Sequence, residues 1–98
     1  MDTVSSPFAG LKVIDCASYI AAPVAATLLS DFGADVIKVE PPAGDPQRRV
    51  FGALGIADQS GVPPFEIDNR GKRSVVLDLQ TPEAREQMEQ LLSTADVF

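Results

Sequence analysis

Few of the residue types that do acid–base or nucleophilic chemistry occur in this sequence. It holds no histidine and one cysteine, Cys16. A histidine base, a disulfide framework and a Cys/His zinc site therefore lie outside what these residues can build. Carboxylates and cations remain, fourteen Asp and Glu against eight Lys and Arg, for a formal net charge of −6. Their distribution is uneven. Residues 45–73 hold five basic residues (Arg48, Arg49, Arg70, Lys72, Arg73) and four acids, net +1, while the remainder holds three basic residues and ten acids, net −7. An anionic ligand would find its cations in that middle stretch, against the plainer reading of solvated loop charges. The acidic balance as a whole argues against a nucleic-acid binder, and no nucleic-acid partner is expected. No metal site is expected.

Two short patterns invite a nucleotide reading. Glu40 falls where a ribose-binding acid would stand at the end of a second strand. Gly71-Lys72-Arg73-Ser74 resembles the end of a P-loop, but the upstream glycine is missing and a strand follows instead of a helix. The dinucleotide fingerprint also fails. It needs glycines in the first strand-to-helix turn, and that turn reads Ser18-Tyr19-Ile20-Ala21-Ala22-Pro23. An apolar, small-residue turn suits the flat face of a base or a thin pantetheine-like chain better than a pyrophosphate. From the residues alone this reaches a small-molecule pocket and no further.

The elements that would position such a pocket are legible. The 98 residues suffice for one domain, and 45% apolar content suffices for a core. Residues 1–9 read as a leader. Leu11-Lys12-Val13-Ile14-Asp15 is a short branched run after Gly10 and predicts a buried strand. Pro23 suits the first position of a helix running to about Phe32, and Gly33 stands where a helix end wants positive φ. Residues 35–40 predict a second strand, which with the first makes a right-handed βαβ unit of two near-continuously apolar parallel strands. Pro41-Pro42 stops it. Residues 43–71, rich in Gly, Pro and Asp, read as one long loop pinned by Phe51, Leu54 and Phe65. Residues 74–79 predict a third strand. Thr81 is an N-cap with Pro82 at the first helical position and Glu83 early in the first turn. Ala84, Met88, Leu91 and Leu92 share a face of that helix. Ala95-Asp96-Val97-Phe98 begins a fourth strand. The fold class is α/β with a parallel sheet. Ending inside a strand, with few helices to cover the sheet, the chain reads as the N-terminal part of a longer protein.

Taken in order, the motifs carry a resemblance. Gly10-Leu11-Lys12-Val13-Ile14-Asp15 and Ala21-Ala22-Pro23 lead into Leu28-Leu29-Ser30-Asp31-Phe32-Gly33-Ala34-Asp35-Val36-Ile37-Lys38-Val39-Glu40. Gly44-Asp45-Pro46, Asn69-Arg70-Gly71-Lys72-Arg73-Ser74-Val75-Val76-Leu77-Asp78-Leu79, Thr81-Pro82-Glu83 and Ala95-Asp96-Val97-Phe98 follow. Across residues 7–98 the sequence resembles the start of a family III coenzyme A transferase, the group that includes formyl-CoA and carnitine CoA-transferases and the α-methylacyl-CoA racemases.

The resemblance implies that residues 1–98 are the N-terminal portion of a large Rossmann-like CoA-transferase domain, in a longer protein whose chains interlock as a homodimer. It implies acyl-CoA and a carboxylate acceptor as substrates and no prosthetic group. A family aspartate works as nucleophile, through a mixed anhydride and an aspartyl-CoA thioester. That aspartate lies beyond position 98, so no catalytic residue is assigned here. By position, Ile20 and Ala21 match first-turn contacts to CoA, and Leu77, Asp78, Leu79 and Gln80 match the segment beside the adenine and its phosphates. Pro41 stands where formyl-CoA transferases place an arginine, and Gln80 where they place a lysine. Arg48, Arg49 or Arg73 are candidates for the missing positive charge.

Each of these residues has a plainer reading. Ile20 and Ala21 would pack a helix entry, Asp78 would cap the turn before Thr81, and Arg73 would sit in a surface ion pair. Tyr19 would cover a strand end, and Cys16 would be a small buried hydrophobe. Asp15, Asp31, Asp35 and Asp78 are strand-end, helix-end and turn residues. The alternatives to a transferase are an α-methylacyl-CoA racemase, working by proton abstraction beside the thioester, or a non-catalytic CoA-binding or dimerisation fragment. A soluble cytoplasmic setting is expected, with no membrane span: the longest apolar stretch, 19–29, is too short and is broken by Pro23.

Overall fold

The computed structural model of the chain describes residues 6–55 and 63–98. Three parallel strands, β1 (Lys12–Asp15), β2 (Asp35–Glu40) and β3 (Arg73–Val76), form one sheet in the order β1-β2-β3. Asp15 stands beside Lys38, and Glu40 beside Val76. Helix α1 (Ala21–Asp31) joins β1 to β2, α2 (Pro46–Ala53) and α3 (Pro63–Asp68) follow β2, and α4 (Pro82–Ser93) follows β3. This is the α/β parallel-sheet class expected from the sequence.

The strand period of two divides the core into two layers. Val13 and Val36 point to one face and pack with Ala26 and Ala34 under α1. Ile14 and Val39 point to the other and pack with Leu77, Ala84 and Met88 under α4. Helix α4 begins as expected: Thr81 Oγ1 accepts the Ala84 amide and Pro82 opens the helix. Gly33 ends the α1 connection at φ +107, where an added Cβ would stand 2.6 Å from Ser6 Cβ, so both conformation and space require glycine.

The structure corrects several expectations. Helix α1 starts at Ala21, so Pro23 is its third residue, still within the first turn where the absent N–H has no intrahelical partner. The stretch 43–71 is not one loop: it contains α2 and α3, while residues 56–62 lie outside the described residues. Its prolines are helix starters. Asp45 Oδ1 accepts the Gln47 amide, with Pro46 at the first position of α2. Of the expected pins, Phe65 is buried, Phe51 is half-buried and Leu54 is exposed. Strand β3 stops at Val76, because residues 77–80 turn toward α4. The expected fourth strand is a single parallel bridge, Val97 to Val13, on the edge of β1 away from β2. Of the leader, residues 1–5 lie outside the described residues, and Ser6 is buried against Gly33. Finally, β2 is not simply apolar, since Lys38 and Glu40 are both buried within it.

Candidate functional site

The burial of Lys38 and Glu40 follows from the same alternation that places Val36. All three lie on the α1 face, and toward the carboxyl end of β2 that face turns from apolar to charged. Buried charges need partners, and the neighbouring elements bring them. Lys38 Nζ lies 2.9 Å from Asp45 Oδ2 and 3.8 Å from Asp15 Oδ2, and donates to the Ala17 carbonyl at 3.2 Å. Lys72 Nζ, from the approach to β3, donates to Asp15 Oδ2 at 2.7 Å, to Asn69 Oδ1 at 2.6 Å and to the Pro23 carbonyl at 2.8 Å. Two ammonium groups thus meet two carboxylates in a neutral buried cluster. Burial pushes the Lys72 ammonium below its ordinary range, and the Asp15 carboxylate opposes that shift.

Glu40 anchors a second set. Its Oε1 accepts from Arg48 Nε at 2.8 Å and from the Asp45 amide at 2.9 Å. Its Oε2 accepts from Arg48 Nη2 at 3.2 Å and from Ser74 Oγ at 2.9 Å. Burial would raise the Glu40 pKa, but these donors together hold it below the usual carboxylate range. The Arg48 guanidinium also lies over the Phe65 ring, 3.6 Å from its centroid. Glu40 is therefore committed inside the protein and does not stand free as a ribose acceptor.

Above these groups, at the carboxyl ends of the three strands, lies a cavity of about 240 Å³. Open parallel sheets bind ligands at this edge. Its walls are Leu77, Asp78, Leu79 and Gln80 on one side and Cys16, Ala17 and Ser18 on the other, with Glu40, Pro41 and Asp45 below. Four of the six candidate residues read from the sequence are thus brought together. The other two are not: Ile20 and Ala21 are exposed at the entry of α1 and line neither this cavity nor its neighbour. That neighbour is an apolar groove of about 400 Å³ between β1 and α1, bounded by Ala22, Ala25, Leu29, Val97 and Phe98, with Cys16 and Ala17 forming the strip between the two. Burial, and then the Asp15 charge, raise the Cys16 thiol pKa, so it stays protonated at neutral pH; the residue is half-buried and lines both cavities, and is not the buried hydrophobe expected.

The remaining candidates separate clearly. Asp78 Oδ1 accepts the Gln80 amide and its carbonyl accepts the Thr81 amide, so the turn-forming role is met. Arg73 pairs with Asp35 at 2.7 Å at the amino end of the sheet, opposite the cavity, which removes it as a source of charge for a ligand there. Arg48 is spent on Glu40, and Arg49 is exposed on α2. No lysine or arginine lines the cavity among the described residues. The sequence reading missed the buried Lys38–Asp15–Lys72–Asp45 cluster. Its one visible signal was a lysine and a glutamate inside an otherwise branched strand.

Tyr19 follows the cavity wall in sequence and departs from ordinary backbone geometry. Its φ is +67, and it is the sole non-glycine residue with positive φ among the described residues. For a bulky aromatic residue this conformation is strained and calls for an external restraint. The restraint is Asp45, whose Oδ1 accepts the Tyr19 amide at 3.2 Å.

Comparison with known proteins bears on what such a site holds. Residues 8–98 match CoA-transferase family III. The chain is 44% identical over 96 residues to the β subunit of succinyl-CoA–L-malate CoA-transferase from Chloroflexus aurantiacus, covering 98% of this chain and 23% of that protein. It is 42% identical over 95 residues to succinate–glutarate CoA-transferase from Agrobacterium fabrum, covering 93% of this chain and 24% of that one. Among solved structures, a CaiB/BaiF family protein from Brucella suis superposes with a TM-score of 0.83 at 42% identity, over 94% of this chain and 25% of its own. The chain thus spans about a quarter of the length of the relatives it matches.

Proposed function

The chain belongs to CoA-transferase family III, and from that premise we propose that the whole protein transfers coenzyme A from an acyl-CoA to a free carboxylate. These residues supply part of the CoA site and none of the nucleophile. The observation that carries the reading is the convergence of Leu77, Asp78, Leu79 and Gln80 with residues 16–18 on one cavity at the carboxyl edge of the sheet. Asp78 and Gln80 offer polar contacts to an adenosine, while Leu77, Leu79 and Ala17 offer flat apolar surface. Ile20 and Ala21, exposed at the α1 entry, are assigned to the thinner pantetheine end of the ligand.

The chemistry divides one hard acyl transfer into four displacements. An aspartate outside this chain attacks the thioester carbonyl, releasing CoA thiolate and leaving a mixed anhydride. The thiolate then attacks the aspartyl carbonyl, giving an aspartyl-CoA thioester and freeing the donor carboxylate. The acceptor carboxylate attacks that thioester, expelling CoA thiolate and forming a second mixed anhydride, and the thiolate finally attacks the acceptor's carbonyl, giving the acceptor's CoA ester and restoring the aspartate. No prosthetic group is needed for this sequence. A homodimer is the assembly we assign. Among the described residues no helix is long and apolar enough to cross a membrane, and we place the protein in the cytoplasm.

The test is a transfer assay on the whole protein. Succinyl-CoA is the first donor to try, because it appears in the names of relatives that transfer to malate and mesaconate. Mass spectrometry of the products formed with a panel of carboxylates should show the acceptor's CoA ester and free succinate in equal amounts. Solvent deuterium entering beside the thioester without acyl exchange would instead identify a racemase. Absence of CoA binding would remove the reading altogether.

A further inference from the structure

Asp45 is almost wholly buried at the start of α2, and both of its oxygens reach elements other than that helix. Oδ2 meets the Lys38 ammonium of β2 at 2.9 Å, and Oδ1 accepts the amides of Gln47 at 2.8 Å and Tyr19 at 3.2 Å. Its own amide is fixed by Glu40 Oε1, and the Glu40 carboxylate is held in turn by Ser74 of β3 and Arg48 of α2. The Asp45 carboxylate therefore ties the turn after β1 to β2, and Glu40, which holds the Asp45 amide, extends the tie to β3. What Asp45 holds is strained, because Tyr19 sits at φ +67. Ala17 and Ser18, which lead into that residue, form one wall of the cavity whose opposite wall is residues 77–80.

We propose that Asp45 is a positioning residue for CoA, holding Tyr19 in its left-handed conformation so that Ala17 and Ser18 close the cavity opposite residues 77–80. The role is indirect, acting through the Tyr19 backbone, and it rests on the CoA reading of the cavity given above. An asparagine replaces the carboxylate only in part. Its one acceptor oxygen serves either the two backbone N–H groups, now as a neutral acceptor, or the ammonium, and its N–H₂ faces the other, so in either orientation the Tyr19 amide loses its charged partner. Lys38 keeps Asp15 at 3.8 Å and the Ala17 carbonyl, so the strand itself stays partnered in such a variant.

The experiment uses Asp45→Asn and Tyr19→Gly in the whole protein, singly and combined. Amide hydrogen exchange reads the clamp without any ligand. In Asp45→Asn the Tyr19 amide should exchange faster by about fivefold or more, as expected when its charged acceptor is exchanged for a neutral one or lost, while the Ile14 and Val36 amides stay protected. KM for succinyl-CoA should rise by about fivefold or more, with a smaller change in kcat, because a binding surface is displaced and not the reacting groups. In the Tyr19→Gly background the same Asn substitution should cost much less, since glycine adopts positive φ without a restraint. Unchanged exchange at Tyr19 would overturn the clamp. Faster exchange at Tyr19 with an unchanged KM would overturn its role toward CoA, as would equal costs of Asp45→Asn with and without Tyr19→Gly. Failure of the wild-type protein to bind CoA would refute the CoA reading instead, and the exchange result would still decide the clamp.

Discussion

Replacing Asp15 by asparagine should open the sheet where Lys38 and Lys72 converge. The carboxylate meets Lys72 Nζ at 2.7 Å and Lys38 Nζ at 3.8 Å, and both lysine side chains are 2% exposed. At an effective dielectric of about 20, a unit pair at the shorter distance attracts by roughly 6 kcal/mol before desolvation is counted. Removing one member of a buried pair costs about 3–5 kcal/mol, because the other charge stays buried without its counter-ion. Here the cost should fall at the low end, about 3 kcal/mol, for two reasons. The asparagine Oδ1 still accepts the Ala17 amide, and Lys72 keeps the Pro23 carbonyl and Asn69 Oδ1. Native-state hydrogen exchange of the Val13, Ile14, Val36 and Ile37 amides in the whole protein is the assay. An opening free energy lower by about 3 kcal/mol appears as exchange faster by about 150-fold. The control is Asp15→Asn combined with Lys72→Met, which leaves Lys38 with Asp45 and restores neutrality. It should recover at least about half of the loss. A single variant that changes exchange by less than about fivefold, or a double variant as damaged as the sum of its parts, would refute the claim that charge balance holds this cluster together.

Three further outcomes follow from the same structure. Gly33→Ala should destabilise the domain by about 2–3 kcal/mol, combining the cost of a left-handed side-chain residue with a clash against Ser6, read as a lower thermal midpoint. Glu40 and Asp45 are both held below the ordinary carboxylate range, so the stability they contribute is present above about pH 4 and is lost as pH falls through their lowered folded-state values. Circular dichroism should therefore show a shallower acid transition in Glu40→Gln, and an acid transition as steep as that of the wild type would contradict the assignment. Gln80→Lys adds the positive charge that the cavity wall lacks. It should tighten CoA binding by about three- to fivefold at low ionic strength, in line with about 1 kcal/mol for an exposed ion pair, and the gain should fade with added salt. Calorimetric titration at two salt concentrations checks both halves of that statement.

The parts of this molecule that depend on local rules could be read directly from its sequence. The branched run at 11–15, Gly33 at positive φ, the strand at 35–40 and the Thr81-Pro82 start of α4 each rest on a residue's own conformational preference or on a neighbour a few positions away. The same rules mislead between residues 43 and 71, where prolines that read as loop markers open α2 and α3. Asp45 and the first-turn tolerance for proline were the overlooked signals. Four of the six candidate ligand residues, taken from the family resemblance, share one cavity because they are consecutive in the turn beyond β3, where the apolar run at 74–79 reads as strand. The charged floor beneath them could not be read that way. Asp15 and Lys38 become neighbours only through the parallel register of β1 and β2, Lys72 reaches them only because β3 docks on β2, and Asp45 reaches back only because α2 folds under the strand ends. Read singly, each residue is an ordinary charge that belongs in water. Tertiary structure decided otherwise by burying them side by side, where each can offset the desolvation of the others.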